Sequence, residues 1–114
     1  MKYKISENQI DEIAFPFLDK ELKGIEKYKA IYFDGIVFKK SNEKFGVLGY
    51  KKNGTLLIYY KFLNKFSSFF SLETTDAQEL IVRWAEDRLQ IEVIKTTITR
   101  APVNLWLKAV RKLR

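Results

Sequence analysis

The last twenty residues carry six basic side chains, Lys95, Arg100, Lys108, Arg111, Lys112 and Arg114, and no acidic one. A second basic run lies in region 39–65, where Lys39, Lys40, Lys44, Lys51, Lys52, Lys61 and Lys65 stand against a single Glu43. Segment charges are +6 for 39–65, −4 for 66–94 and +6 for 95–114, within a formal total of +7. Cationic side chains grouped in this way do electrostatic chemistry: they neutralise phosphates and release counterions, or they meet an acidic protein surface. Tyr50, Tyr59 and Tyr60 fall within or beside the first run and offer rings on which bases can stack.

Other chemistries find little to work with. The chain has no histidine and no cysteine, which removes the commonest general base at neutral pH, the thiolate nucleophile and the usual zinc ligands. No catalytic motif occurs, and no enzymatic activity, cofactor or metal is expected. Asp34, Glu43, Glu73 and Asp76 are loop carboxylates whose spacing matches no cation-binding pattern; turn and cap duty suits each better. The stretch 44–50, with Phe45, Gly46 and Gly49, resembles the base-stacking strand of an RNA-recognition motif. It lacks the glycine after the basic residue, and there is no room for a helix between Tyr32 and Phe45, so the match is treated as coincidence.

The elements that must position these residues are legible in part. The chain of 114 residues, 46% apolar and 15% aromatic, fits a single domain over 1–114. Ser6 and Gln9 form a capping box, and Ile10, Ile13, Ala14 and Phe17 follow at helical spacing, with Pro16 expected to divide the helix and Gly24 to stop it. Strands are expected at 28–33 and 36–40 around Asp34-Gly35, and at 45–51 and 55–62 around Asn53-Gly54, both dipeptides favouring the positive φ of tight turns. Phe62, Phe66, Phe69 and Phe70 have helical spacing and suit a short helix over the sheet; the alternative is an exposed aromatic patch.

Thr75 is the expected cap of a further helix, with Ala77, Leu80, Ile81, Trp84 and Ile91 on one arc and Glu79, Arg83, Glu86 and Gln90 on the other. An i, i+4 ladder of Glu79, Arg83 and Asp87 supports it. Alternation over 90–99 predicts a strand bulged near Val93. Pro102 then opens a final basic helix with Val103, Trp106, Leu107, Val110 and Leu113 on its apolar side. The fold class expected is α+β: an N-terminal helix, an antiparallel meander of three or four strands, a helix, a further strand and a C-terminal basic helix.

The segment from Lys4 to Gln9, and that from Phe70 through Ala77-Gln78-Glu79-Leu80 to Trp84-Ala85-Glu86-Asp87-Arg88, resemble parts of small proteins carried by tailed phages. These segments make up about a fifth of the chain. Such proteins share no common function, so the resemblance implies a mobile-element origin. Some of them inhibit nucleic-acid-guided host defence, which brings an anti-CRISPR-type role into view.

Two functional readings follow. In one, a basic face binds DNA or RNA, with Lys51, Lys52, Lys61, Arg100, Lys108, Arg111 and Lys112 on phosphates and Tyr59 stacking. In the other, the same face blocks an acidic or RNA-binding groove on a nucleic-acid-handling protein, with Tyr50 and Phe69 as anchors. The alternatives are an assembly-accessory role in a virion, or charge that only solubilises, the tail docking on the acidic helix and the lysines guarding an edge strand. Membrane binding by the final helix is disfavoured, because a domain this small needs Trp106, Val110 and Leu113 in its core. No apolar run approaches the roughly 18 residues of a membrane span, no secretory signal is visible, and the expected location is the host cytoplasm.

Overall fold

The computed structural model describes residues 7–30, 33–41, 46–100 and 111–112. Helix α1 (Glu7–Glu21) leads into strands β1 (Ile25–Lys29), β2 (Gly35–Lys40), β3 (Leu48–Lys51) and β4 (Thr55–Tyr59), followed by α2 (Tyr60–Phe69), α3 (Thr74–Leu89), β5 (Lys95–Thr99) and β6 (Arg111–Lys112). The strands form one sheet in the order β5-β4-β3-β2-β1-β6. Neighbouring pairs from β1 to β4 are antiparallel, as is β1 with β6, whereas β5 lies parallel to β4. The α2–α3 pair supplies the long crossover that a parallel neighbour requires. The expected α+β class and four-stranded meander are present. Among the described residues no helix is long and apolar enough to cross a membrane.

Strand register explains the core. Phe38, Leu48, Ile58 and Ile98 stand side by side across four strands, and the first three are at most 1% exposed. Against this row pack Ala14, Leu18 and, just past its end, Leu22 of α1, Phe62, Leu63 and Phe66 of α2, and Ala77, Leu80, Ile81, Trp84 and Ala85 of α3. Helix spacing puts each of these triplets or quintets on one side of its helix. On the opposite face Tyr28 and Val37 pair across β1 and β2 and form a smaller cluster with Ala30 and Phe33.

Helices α1 and α3 are clasped at their exposed margin. Trp84 donates its indole N–H to Asp19 Oδ1 at 2.8 Å, and Arg88 reaches the same carboxylate through Nε at 2.9 Å and a terminal nitrogen at 3.2 Å. Hydrogen bonding from Arg88 holds the Asp19 carboxyl below the usual carboxylate range; burial opposes this and the Trp84 bond reinforces it. Arg88 also lies over the Phe15 ring, 5.5 Å from its centroid. Asp87 accepts from Arg88.

Several boundaries differ from the sequence expectation. Helix α1 runs unbroken through Pro16. Both Pro16 and Glu12, whose carbonyl loses its intrahelical donor, are exposed, which leaves that carbonyl on the solvent side of the helix. The inward face of α1 is Ala14, Leu18 and Leu22, while Ile13 is exposed. Helix α3 starts at Thr74, and its N-cap is Glu73 with no side-chain cap bond, so Thr75 is not the cap. Strand β4 ends at Tyr59, three residues early, because the helical spacing of Phe62, Leu63 and Phe66 takes over.

Strand β5 begins only at Lys95. Gln90 is left-handed at φ 55° and ends α3, leaving Ile91 beyond the helix. The backbone groups that follow are taken by side chains, the Glu92 carbonyl by Tyr50 O–H at 2.5 Å and the Val93 N–H by the Glu86 carboxylate at 3.1 Å. A ladder cannot form from groups already engaged.

The two turns also divide. Gly54 has φ 94°, and its N–H bonds the Lys51 carbonyl at 2.9 Å, the positive-φ turn expected at Asn53-Gly54. Asp34-Gly35 is no such turn: Lys29 pairs with Ile36, and Gly35 already belongs to β2. Glycine is needed there for close approach, since a Cβ would stand 2.0 Å from the Tyr50 carbonyl oxygen. Ser6 and the expected final helix lie outside the described residues, apart from Arg111–Lys112, which are strand β6.

Candidate nucleic-acid interface

The sheet has two ends, and the basic residues divide between them. At the end where β4 passes into α2 stand Lys39 and Lys40 of β2, Tyr59 of β4, Lys61 and Lys65 of α2, and Arg100 just beyond β5. At the opposite end stand Lys51 and Lys52 in the β3–β4 turn and Lys95 opposite Thr55. The length of β4 separates these ends by about 13 Å. The expected patch is therefore split: Tyr59, Lys61 and Arg100 come to one end, Lys51 and Lys52 to the other.

The basic tail is divided as well. Lys95 and Arg100 flank one edge strand, whereas Arg111 and Lys112 pair with Lys29 and Tyr28 at the other edge. Five strand spacings, about 24 Å, lie between β5 and β6. Lys108 lies outside the described residues.

At the α2 end a concave site of about 260 Å³ opens between α1 and the strand termini. Its lining is apolar in Leu22, Ile25, Val47 and Phe62 and polar in Lys40, Lys61, Lys65 and Tyr59, with Lys39 also contributing to it. Glu21 is the single carboxylate in the lining, with Lys65 Nζ 3.0 Å away. Lys39 is 5% exposed, an unusual state for an ammonium. It is held 4.3 Å above the Tyr28 ring and donates to the Lys40 carbonyl at 3.2 Å. Glu26 stands opposite it in the β1–β2 register. Tyr59 meets Tyr60 edge-on with centroids 5.5 Å apart.

A second, more open depression adjoins this site. It is lined by Lys20, Lys23 and Gly24 at the end of α1 and by Lys40 and Ser41. Lys40 belongs to both hollows, which links lysines of α1, β2 and α2 into one track. Lys20 in the last turn of α1 also complements the helix dipole.

Sequence reasoning missed Lys20 and Lys23 because the segment 1–38 is nearly neutral, and it gave no reason to choose Lys39, Lys40 and Lys65 from their run. The signal available was position: Lys20, Lys23, Lys39 and Lys40 sit at the ends of α1 and β2, and Lys65 on the helix that follows β4 directly.

The other depression with lysines is compensated. Lys52 Nζ lies 4.0 Å from Asp34, and both line a hollow with Phe33, Lys51 and Asn53. Of the two aromatic anchors, Tyr50 is half-buried and engaged with Glu92. Phe69 is 65% exposed and stacks on Phe17 with centroids 4.5 Å apart, at the far end of α2 from the lysine track. Among the described residues no group of three or more carboxylates, histidines or cysteines could hold a metal ion. No family model matches the chain, and no curated protein or solved structure is significantly similar to it.

Proposed function

We propose that this protein is a non-enzymatic nucleic-acid-binding module whose interface is the lysine track at the α2 end of the sheet. The observation that carries this reading is Lys40, shared by two adjoining hollows that also hold Lys20 and Lys23 on one side and Lys61 and Lys65 on the other. Lysines act there as point charges on phosphates, and Tyr59 offers a ring face to a base. Arg100 at the same end extends the positive field.

Phosphate contacts dominate such an interface, so binding is salt-dependent and nearly indifferent to sequence. If about four lysines neutralise phosphates of a single strand, log K falls with log salt at a slope of about −3. Affinity then drops about 50-fold between ~50 and ~200 mM salt. Fluorescence anisotropy with short single-stranded RNA, single-stranded DNA and duplex DNA tests this. Saturable binding with that slope supports the reading, and absence of binding at the lower salt overturns it.

A second reading rests on Phe69, an exposed ring on the Phe17, Phe66 and Phe70 cluster. Here the protein docks on a nucleic-acid-handling protein, in the manner of a phage-encoded inhibitor of host defence. Charge would then steer association and Phe69 would anchor it. Binding that requires the protein partner, and is lost on Phe69→Ala but not on Lys61→Glu, would select this reading.

A further inference from the structure

Resting on the nucleic-acid reading, we infer that the lysine track turns the corner of the sheet at Gly24 and continues along β1 through Lys27 and Lys29, so that its ligand is a single strand and not a duplex. The two legs meet at the open hollow. Lys20, Lys23, Gly24, Lys40 and Ser41 line it, and Lys40 stands opposite Ile25, the first residue of β1. Beyond the chain neighbours of Gly24, nothing lies within 4 Å of where its Cβ would stand, so the corner is clear.

The charge on β1 is uncompensated. Alternation sets Ile25, Lys27 and Lys29 on one face of the strand, the face that carries Phe38, since Lys27 is opposite Phe38 in the register. The helical layer leaves this edge open: Phe38 is buried, whereas Lys27 and Lys29 are exposed. Neither has an ion-pair partner among the described residues, unlike Lys65, which Glu21 compensates. The one carboxylate of β1, Glu26, falls on the other face with Tyr28. Strand β6 supplies none either, because the residue it sets opposite Lys29 is Arg111. Like charges in opposed positions weaken a sheet, and an anion lying along the edge offsets that.

Geometry then selects the ligand. Two residues along a strand put Lys27 and Lys29 about 7 Å apart, close to the step between successive phosphates of an extended single strand. One leg crosses the end of the sheet from Lys61 past Lys40 to Lys23, three strand spacings or ~14 Å, and the other runs down β1 for ~13 Å, nearly at right angles. A duplex is stiff over about 150 base pairs and cannot make that turn, so it touches one leg only. A single strand bends at any nucleotide and follows both. Two of its roughly four phosphate contacts then fall on β1.

Anisotropy titrations test this with dye-labelled oligothymidylate, the matching oligouridylate, and an oligothymidylate–oligoadenylate duplex of equal length. Each phosphate contact on a single strand contributes about 0.7 to the salt slope, or about fivefold in affinity at ~0.1 M salt. Lys27→Thr with Lys29→Thr, two exposed positions given a strand-favouring residue, should weaken single-strand binding about 25-fold and halve the slope from about −3 to about −1.5. The natural chain should bind either single strand more tightly than the duplex, and the gap should close in this variant. Lys52→Ala with Lys95→Ala, equal in charge, exposed and off the path, should change single-strand affinity by less than about twofold. This pattern with either single strand supports the inference, and the tighter of the two names the sugar.

A double β1 variant that binds single strands as the natural chain does would make Lys27 and Lys29 guards of a strand edge. That would overturn the inference and leave the track at the α2 end standing, as would a duplex bound as tightly as the single strands. Failure of every probe to bind at low salt would overturn both.

Discussion

Replacing Asp19 probes how the helical layer is held. Its carboxylate accepts from Trp84 and Arg88, two residues of α3, while itself belonging to α1. The two bonds are unequal in consequence. Arg88 is 42% exposed at its side chain, and its ion pair with Asp19 is open to water and salt. Trp84 is 3% exposed, so its indole N–H relies on this carboxylate for its hydrogen bond. Asp19→Ala therefore orphans a buried donor and should cost about 1–3 kcal/mol. In a chain of this size that lowers the thermal midpoint by about 4–12 °C. Asp19→Asn keeps an oxygen for Trp84 and loses only the charge, so its shift should be less than half as large. Arg88→Ala should likewise cost less than Asp19→Ala. Urea and thermal unfolding of these variants, with Asp19→Ala repeated in a Trp84→Phe background, measure the terms separately. The reasoning predicts that Asp19→Ala is nearly silent once Trp84 has become Phe. An equal cost in both backgrounds would refute it.

The same carboxylate makes a pH prediction. Because its folded pKa is lowered, its stabilisation is present above the unfolded value of about 4 and is lost as pH falls through the folded value. Acid should therefore destabilise the natural chain more than Asp19→Asn, seen as unfolding midpoints that converge below about pH 4. Gly35→Ala should destabilise by about 1–3 kcal/mol, because the new methyl meets the Tyr50 carbonyl and only backbone can yield. Gly54→Ala should cost about 1–2 kcal/mol for its positive φ, the nearby Ile94 side chain being exposed and free to turn away. Phe66→Ala, at a fully buried ring, should cost about 3–5 kcal/mol, and Phe69→Ala far less; chemical denaturation separates them. Glu21→Gln removes the one carboxylate in the 260 Å³ hollow, so it should tighten oligonucleotide binding, read by anisotropy at low salt.

The sequence was most legible where periodicity was strong and packing agreed with it. Ala77, Leu80, Ile81 and Trp84 are buried as their spacing requires, and Phe62 and Phe66 form the inward face of α2. Legibility failed where side chains competed with the backbone. Tyr50 and Glu86 engage residues 92–93 from elsewhere in the fold, which no local pattern in 90–99 reveals. Gly35 looked like a turn residue and is a close-contact residue, a distinction set by the neighbouring strand. Parallel pairing of β5 with β4 was equally hidden, although it is what carries Lys95 and Arg100 to one edge, while β6 places Arg111 and Lys112 at the other. Net charge per segment marked the region 39–65 as basic. It could not say that Lys51 and Lys52 part company from Lys61, nor that Lys20 and Lys23 from a near-neutral segment join it.

Backbone amide NMR with a short single-stranded oligonucleotide tests the central claim most directly, because it reports binding and location together. The lysine-track interface predicts saturable shifts concentrated at Lys20, Lys23, Lys40, Tyr59, Lys61 and Lys65, with Lys51 and Lys52 nearly unmoved. Shifts centred on the β3–β4 turn, on β6 or around Phe69, or none at all at low salt, would contradict it.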